Sequence, residues 1–294
     1  MPMEATTYNT RMLGLVTLYN PNPDEAAANI RRYIHDLDAL IIWDNSPLEA
    51  NLKQQILANL EEEAEKVVWH GDGQNLCIAP AINYAWQYAK EHGFELLLLM
   101  DQDSKWNDFP TYRKELENLY SSNSPGAYTP YIQDYDLWPI KQAVEKRRIF
   151  INSGTVLPID ILDELNGADE TFALDALDHD LSFRIHKRGF EIYCLTSCVL
   201  HHTLGHPRRS KILRLYTPDY GSARTYSMVR SHIINYRKNR KWMTRYECWK
   251  AFKEFIFWKF VRIVLVEEDK INRFKMYVKG IWDGLTYNLQ KNIS

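Results

Sequence analysis

Asp101, Gln102 and Asp103 follow directly on Glu95-Leu96-Leu97-Leu98-Leu99-Met100, so an apolar run delivers two carboxylates one residue apart. Mg²⁺ and similar hard cations are held by one or two carboxylates together with substrate phosphate oxygens, which is the chemistry this pattern suits. The alternative is a solvated turn after a strand. Asp44 and Asp72, closing two other strand-like runs, weigh toward a ligand site. A second group is Asp178-His179-Asp180, with Asp175 one turn earlier. Carboxylates are favoured at a helix start by its dipole, but three within six residues exceed what capping needs. One of them is a candidate general base, provided it reaches a substrate hydroxyl. The competing reading is a capped helix with Asp180 and Arg184 as an exposed i,i+4 pair. A third group, His201-His202-Thr203-Leu204-Gly205-His206, ends a strand-like run; a histidine there either completes a metal site with Asp103 or is an ordinary core or surface residue.

The elements that must position these residues follow from periodicity and turn residues. Met12–Leu18 predicts a buried strand ending in Tyr19-Asn20-Pro21-Asn22-Pro23. Asp24 is expected to cap a helix through about His35. Ala39–Trp43 is a second strand closed by Asp44-Asn45-Ser46-Pro47, a helix spans roughly 48–65, Val67–His70 is a third strand, Ile78–His92 a helix, and Leu96–Met100 a fourth strand. This alternation predicts an α/β fold with a largely parallel sheet and helices on both faces. Active sites of such sheets lie at the carboxyl ends of the strands, here Thr17-Leu18-Tyr19-Asn20, Trp43-Asp44-Asn45, His70-Gly71-Asp72 and Asp101-Gln102-Asp103. Beyond residue 105 the pattern predicts a helix near 109–121, strands near 126–133 and 148–157, helices near 159–165 and 178–188, a strand over 190–200, and helix from about 222. The expected organisation is a catalytic domain over 1–220, divided at 105/106, and a helical extension over 221–294.

Composition narrows the class. The 294 residues are 45% apolar and 25% charged, which suits one large globular domain with or without an appendage. No uncharged apolar window reaches 18 residues, which excludes a membrane-spanning helix, and the polar Met1–Arg11 carries no visible signal peptide. Cysteines 77, 194, 198 and 248 are read as reduced thiols, and a cytoplasmic setting follows. Residues 1–204 carry 16 Lys and Arg against 31 Asp and Glu, whereas residues 205–294 carry 20 against 7. The basic end suggests an anionic partner or the acidic front of the same chain. Between 242 and 264, Trp242, Tyr246, Trp249, Phe252, Phe255, Phe257, Trp258 and Phe260 interleave with Lys250, Lys253, Lys259 and Arg262. That mixture is typical of helices lying at a membrane surface, here the inner face of the plasma membrane; the alternative is a helical subdomain packed on the catalytic domain. No nucleic-acid module is recognisable. Gly71-Asp72-Gly73-Gln74-Asn75-Leu76 is not a dinucleotide fingerprint, and no P-loop occurs.

In this order the motifs resemble the family 2 glycosyltransferases of the GT-A fold, in the rhamnosyltransferase-like branch of bacterial surface-polysaccharide assembly. The resemblance covers about residues 12–240. Val16-Thr17-Leu18-Tyr19-Asn20-Pro21 resembles the first strand and nucleotide-contacting turn, and Trp43-Asp44-Asn45-Ser46 the second strand, whose Asp meets the base. Gly73-Gln74-Asn75-Leu76-Cys77-Ile78-Ala79 with Asn83 resembles N-x-G-I-A-x-A-x-N, with Cys77 where Gly is usual. Met100-Asp101-Gln102-Asp103-Ser104 matches D-Q-D-S, and Phe150-Ile151-Asn152-Ser153-Gly154-Thr155 resembles the acceptor-side strand. Leu174 to Arg184, with Gly189-Phe190, resembles the segment that carries the catalytic base, and His201-His202-Thr203-Leu204-Gly205 resembles E-H-x-L-G. Tyr226 and Arg230 echo Y-x-x-x-R-N, with Ser231 for the Asn.

The resemblance implies roles. Thr17, Tyr19, Asn20, Asp44, Asp72, Asn75, Asn83, Asp101 and Gln102 would bind the nucleotide-sugar. Asp103 and His202 would hold Mn²⁺ or Mg²⁺, with Asp101 as a third ligand or a contact to the ribose or a metal-bound water. Ser153, Gly154, Asp175 and Asp180 would meet the acceptor, and Asp178 would be the base of a single inverting displacement. The implied donor is a dTDP- or UDP-sugar, rhamnose or galactofuranose, and the implied acceptor is a glycan or lipid-linked glycan. The alternatives are a catalytically inactive nucleotide-sugar-binding module, which would be expected to lose Asp103, Asp178 or His202, and a nucleotidyltransferase, which would show a Gly-rich basic loop in place of Tyr19-Asn20-Pro21.

Overall fold

In β1 (Met12–Leu18) and β4 (Leu96–Asp101) nearly every residue is buried, whichever face it points to. Strands apolar on both faces belong in the middle of a parallel sheet covered on both sides. The computed structural model, which describes residues 9–48, 51–122, 124–133, 140–172, 174–202, 208–209, 216–217 and 220–289, places them there. β1 pairs in parallel with β2 (Ala39–Asp44) on one side and with β4 on the other, and β3 (Val67–His70) pairs in parallel with β2. The remaining strands of this sheet are β5 (Lys105–Trp106), β6 (Gly126–Gln133), β7 (Val144–Arg147), β8 (Val156–Pro158) and β9 (Glu191–His201). The order is β3-β2-β1-β4-β8-β6-β9-β5, with β7 also on β9. β8 runs antiparallel to both β4 and β6, and β5 and β7 run antiparallel to β9.

Helices α1 (Pro23–Ile30), α2 (Leu52–Leu60), α3 (Ala79–His92), α4 (Phe109–Ser121) and α5 (Ile159–Leu165) connect these strands. A core cluster contains Val16, Ile42, Leu98, Met100, Trp106 and Tyr128. Each large apolar side chain removed from water there contributes about 1.5–3 kcal/mol.

Three expectations about elements are corrected. Asn22, not Asp24, caps α1: its side-chain oxygen accepts from the Asp24 and Glu25 amides at 3.0 and 3.2 Å, and Pro23 fills the first turn, where no amide is needed. The helix expected over 48–65 stops as α2 where Glu61 adopts φ 55°, and the glutamate-rich segment continues as a 3₁₀ turn over Glu61–Lys66. The strand expected over 148–157 is instead β7 and β8 with a loop between them. Gly154 has φ 78°, a left-handed backbone that breaks a strand, and a Cβ there would meet Pro130 and Leu200 side chains at 2.7 and 2.8 Å.

The chain divides into two units, residues 1–168 with 184–203 and residues 169–183 with 204–294. The sheet lies in the first. α6 (Leu177–Lys187) begins in the second, which also holds α7 (Ser222–Asn239), α8 (Arg245–Ala251), a π-helical turn over Phe252–Phe257, α9 (Trp258–Leu265) and α10 (Lys270–Thr286). α10 packs on α7 through two glycines one turn apart. A Cβ on Gly280 would lie 2.9 Å from the Tyr226 carbonyl, and one on Gly284 would lie 2.9 Å from Ile233 Cβ. Tyr226 donates to Asp283 at 2.7 Å and Arg237 to the Gly284 carbonyl at 2.8 Å, which fixes the register. Glu267, fully buried, receives Lys259 at 2.9 Å and Arg273 at 3.0 Å, so the charges entering this helical unit arrive already paired. Among the described residues no helix is long and apolar enough to cross a membrane.

Candidate functional site

Parallel register brings the carboxyl ends of the strands side by side: Leu18 of β1 stands opposite Asp44 of β2, and Thr17 opposite Asp101 of β4. The loops beyond are tied to one another. The Tyr19 amide donates to Gln102 Oε1 at 2.7 Å, and Gln102 Nε2 returns a bond to the Tyr19 carbonyl at 3.3 Å. Asn20, at φ 46°, donates its amide to Ser46 Oγ at 2.8 Å, and the Ser46 amide donates to Asp44 at 2.9 Å. Tyr19 itself is exposed. Thr17, Tyr19, Asn20, Asp44, Asp101 and Gln102 therefore share one lip of the sheet.

Asp72 and Asn75 shape the loop after β3 by accepting from the Gln74 and Cys77 amides, each at 3.0 Å. Asn45, to which sequence reading gave no role, holds that loop against β2: its Oδ1 accepts from the Leu76 amide at 2.9 Å and its Nδ2 donates to the Cys77 carbonyl at 3.2 Å. Cys77 has φ 64°, which gives a physical reason for the glycine usual at that position in the resembled family. Both ends of the Asn83 amide bracket Ala168, at 2.7 and 3.0 Å.

Asp101, Asp103 and His202 offer ligand atoms that all lie within 4.8 Å of one another. β9 pairs antiparallel with β5 in a register that sets His201 opposite Lys105, which carries His202 back to the loop after β4. Asp103 Oδ1 lies 3.4 Å from His202 Nδ1, with the acid half-exposed and the imidazole largely covered. The same ring nitrogen is also met by a serine. Ser104 Oγ lies 2.8 Å from His202 Nδ1, Ser153 donates its hydroxyl to Ser104 Oγ at 2.5 Å, and the Asp101 amide approaches Ser153 Oγ at 3.4 Å. Ser104 and Ser153 are both fully buried. Two carboxylates and an imidazole are a donor set that fits Mn²⁺ or Mg²⁺ and leaves room for diphosphate oxygens. Ser104 and Ser153 are supporting residues that sequence reading missed in this role; only the D-Q-D-S match pointed at the former. Residues 203–206 of the histidine-rich segment lie outside the described residues.

The acids around the start of α6 have different surroundings. Asp180 is fully buried; Asn239 donates to its Oδ1 at 2.9 Å, and Lys238 sits 2.9 Å from the same atom. The exposed Asp180–Arg184 pair is thereby overturned: Arg184 donates to the Leu165 carbonyl, and Asp180 is compensated from α7. Asp175 lies 3.6 Å from Arg224 Nε, and its Oδ2 is buried with no hydrogen-bond partner among the described residues. Burial raises its pKa to about 6, against the opposing pull of Arg224, with nearby Asp178 adding to the rise. Asp178 is half-buried and accepts from the His179 amide at 2.9 Å. Just before it, Ala176 is held at φ 65°. A non-glycine residue in that region costs on the order of 1–3 kcal/mol, and such strain clusters at functional sites.

No known family's sequence profile matches the chain. Over 298 residues, 94% of this chain and 96% of the relative, it is 22% identical to dTDP-rhamnosyl transferase RfbF of Shigella flexneri. Among solved structures, mannosyltransferase PcManGT from Pyrobaculum calidifontis in complex with GDP-Man and Mn²⁺ superposes with a TM-score of 0.58 at 15% identity, covering 96% of this chain and 77% of that one. S. aureus TarS 1–349 in complex with UDP-GlcNAc superposes with a TM-score of 0.54 at 12% identity, covering 94% of this chain and 80% of that one. The chain thus has the GT-A glycosyltransferase fold with a helical C-terminal region, and it resembles a rhamnosyltransferase along nearly its whole length. Likeness of sequence and fold together support glycosyl transfer.

Proposed function

We propose that this chain is a metal-dependent, inverting glycosyltransferase that moves a sugar from a nucleoside diphosphate to a glycan or lipid-linked glycan hydroxyl in surface-polysaccharide assembly. The observation that carries the proposal is the Asp101–Asp103–His202 cluster at the carboxyl ends of β4 and β9, beside the interlocked loops after β1, β2 and β4. dTDP-rhamnose is the first donor to test, because the similar curated protein is named for it; a UDP-sugar, including galactofuranose, is the second.

In this reading Thr17, Tyr19, Asn20, Asp44, Asp72 and Asn75 bind the nucleotide, with Gln102 locking two of the loops together and Asn83 bracing the site through Ala168. Asp103 and His202, with Asp101, hold Mn²⁺ or Mg²⁺, which when bound offsets the charge of the diphosphate leaving group. Asp178 takes the proton of the acceptor hydroxyl while that oxygen bonds the anomeric carbon and the bond to the diphosphate breaks, inverting the centre. Gly154, Asp175 and Asp180 form and support the acceptor side, and Ser153 supports it while anchoring Ser104. The burial of Asp175 and its raised pKa favour a second reading, in which Asp175 shares the proton that Asp178 takes. The segment 242–264 rests on an anionic membrane surface, on the inner face of the plasma membrane, which would bring the enzyme to a lipid-linked acceptor.

The test is release of nucleoside diphosphate from a panel of sugar nucleotides with acceptor extract, with and without EDTA and then Mn²⁺. Metal-restored release with one donor is expected. Donor binding without release would favour the inactive binding module, pyrophosphate chemistry would favour a nucleotidyltransferase, and full activity in chelator would remove the metal from the mechanism.

A further inference from the structure

Within the helical unit, α7, α8 and the π-helical turn form an open-mouthed pocket of about 370 Å³ lined by His232, Ile233, Cys248, Trp249, Phe252 and Ile256, with Ala251 and Tyr236 completing the wall. Pockets of this size accept small ligands, and the lining of this one is mostly apolar. His232 does not alter that character. Its ring stacks on Phe255 at 3.4 Å and lies 5.4 Å from His179, and burial drives its pKa well below the usual value, so the imidazole is neutral.

The mouth has a different composition. Trp249 and Phe252 are more than half exposed, and Tyr246, Trp242 and Phe257 are exposed nearby. Lys253 sits 4.8 Å over the Trp249 ring, Arg240 lies 6.0 Å from the Tyr236 ring, and Lys250 is exposed beside them. The nearby acids are engaged: Glu247 closes the capping box with Thr244, and Glu254 faces Arg262 at 3.8 Å. An uncharged apolar hollow with an aromatic and cationic mouth complements an anionic lipid, hydrocarbon inward and phosphate at the rim. The π-helical turn supplies Phe252 and Ile256, and π-helical segments occur frequently at functional sites.

We infer that this cavity takes one hydrocarbon chain of an anionic membrane phospholipid, drawn from the bilayer on which the helical unit rests. The inference rests on the membrane contact proposed above and is independent of the donor reading. It requires more than adsorption, because a chain must leave the bilayer and seat beside Trp249.

The experiment uses the full chain and vesicles of phosphatidylcholine with or without phosphatidylglycerol, in which the phosphatidylglycerol chains carry bromine, a contact quencher of tryptophan. Expected are flotation with the anionic vesicles, a Trp249 share of the quenching read as the difference between the parent chain and W249F, and a reduction of that share at least threefold by A251F, which fills the hollow, with its melting temperature and donor hydrolysis unchanged. The surface variant K250E/K253E leaves the cavity intact and is expected to weaken binding to anionic vesicles at least tenfold. Flotation with full quenching in A251F would overturn the cavity while leaving the membrane contact standing. No flotation and no quenching of the unaltered chain would overturn both. A dimer that A251F or K250E/K253E converts to monomer, with no response to vesicles, would assign the face to a second copy and overturn the inference.

Discussion

The acids at the end of β4 and those at the start of α6 carry the same chemical groups and meet different surroundings. Asp101 and Asp103 gather around an imidazole that is itself met by a buried serine hydroxyl, with a second behind it. Asp175 and Asp180 are met by Arg224, Lys238 and Asn239, all supplied by α7. Where the fold supplies its own cations, a carboxylate is fixed in place or tuned in pKa. Where it supplies hydroxyls and an imidazole, two carboxylates converge on a point that suits an added divalent ion. Asp178 sits between these regimes, half-buried beside a strained Ala176.

The largest effect expected is at Asp178. D178N should lower turnover about 10²–10⁴-fold, the usual contribution of a positioned base, with nucleotide-sugar affinity retained by calorimetry. Normal turnover would reduce the α6 acids to structural groups and dissolve the contrast. Next is Ser104. S104A removes the bond to His202 Nδ1 and is expected to weaken Mn²⁺ binding about 10–100-fold, the range for groups that orient a metal ligand. Mn²⁺ titration followed by electron paramagnetic resonance reads this directly; S104T, which keeps the hydroxyl, should recover part of the affinity. Unchanged Mn²⁺ binding in S104A would show that the relay serves packing alone.

The tuned acid makes a pH-dependent prediction. A carboxyl whose folded pKa of about 6 lies above its ordinary value of 3.8 binds more protons in the folded state, so its contribution favours folding at low pH. That contribution should be fully present below about pH 3.8 and lost as pH rises through 6. Thermal melts of D175N against the parent chain between pH 4 and 8 check this: the variant, lacking the titration, should gain relative stability across that window. Parallel curves would place Asp175 among fully compensated acids like Asp180. The smallest effect is at Cys77, held at φ 64°. C77G should relieve left-handed strain and stabilise the chain by about 1 kcal/mol, measured as an upward shift of the melting midpoint.

The strands and the acids at their ends were legible because β1, β2 and β4 are buried on both faces, which leaves an unbroken apolar run, and because a polar residue can enter such a run only where the strand emerges. The cap of α1 was misplaced by two residues because Asn22 and Asp24 are both good caps and only backbone geometry separates them. The segment 148–155 passed for a strand because its glycine declares a left-handed turn only when packed against Pro130 and Leu200.

What the sequence determined by itself was local: alternation of apolar runs and helices, carboxylates at strand ends, a basic aromatic C-terminal region, and a set of motifs whose order pointed to glycosyltransferases. Tertiary structure decided the partners. Ser104 meets His202 across 98 positions and Ser153 across 49, and Asn239 reaches Asp180 across 59. The apolar hollow beside Trp249 likewise requires α7 to face α8. Spacing along a chain reports on groups a helical turn or a pleat apart. Bonds between distant segments form only where the sheet register and helix packing bring them together, and those bonds set which acid is compensated and which converge on a metal.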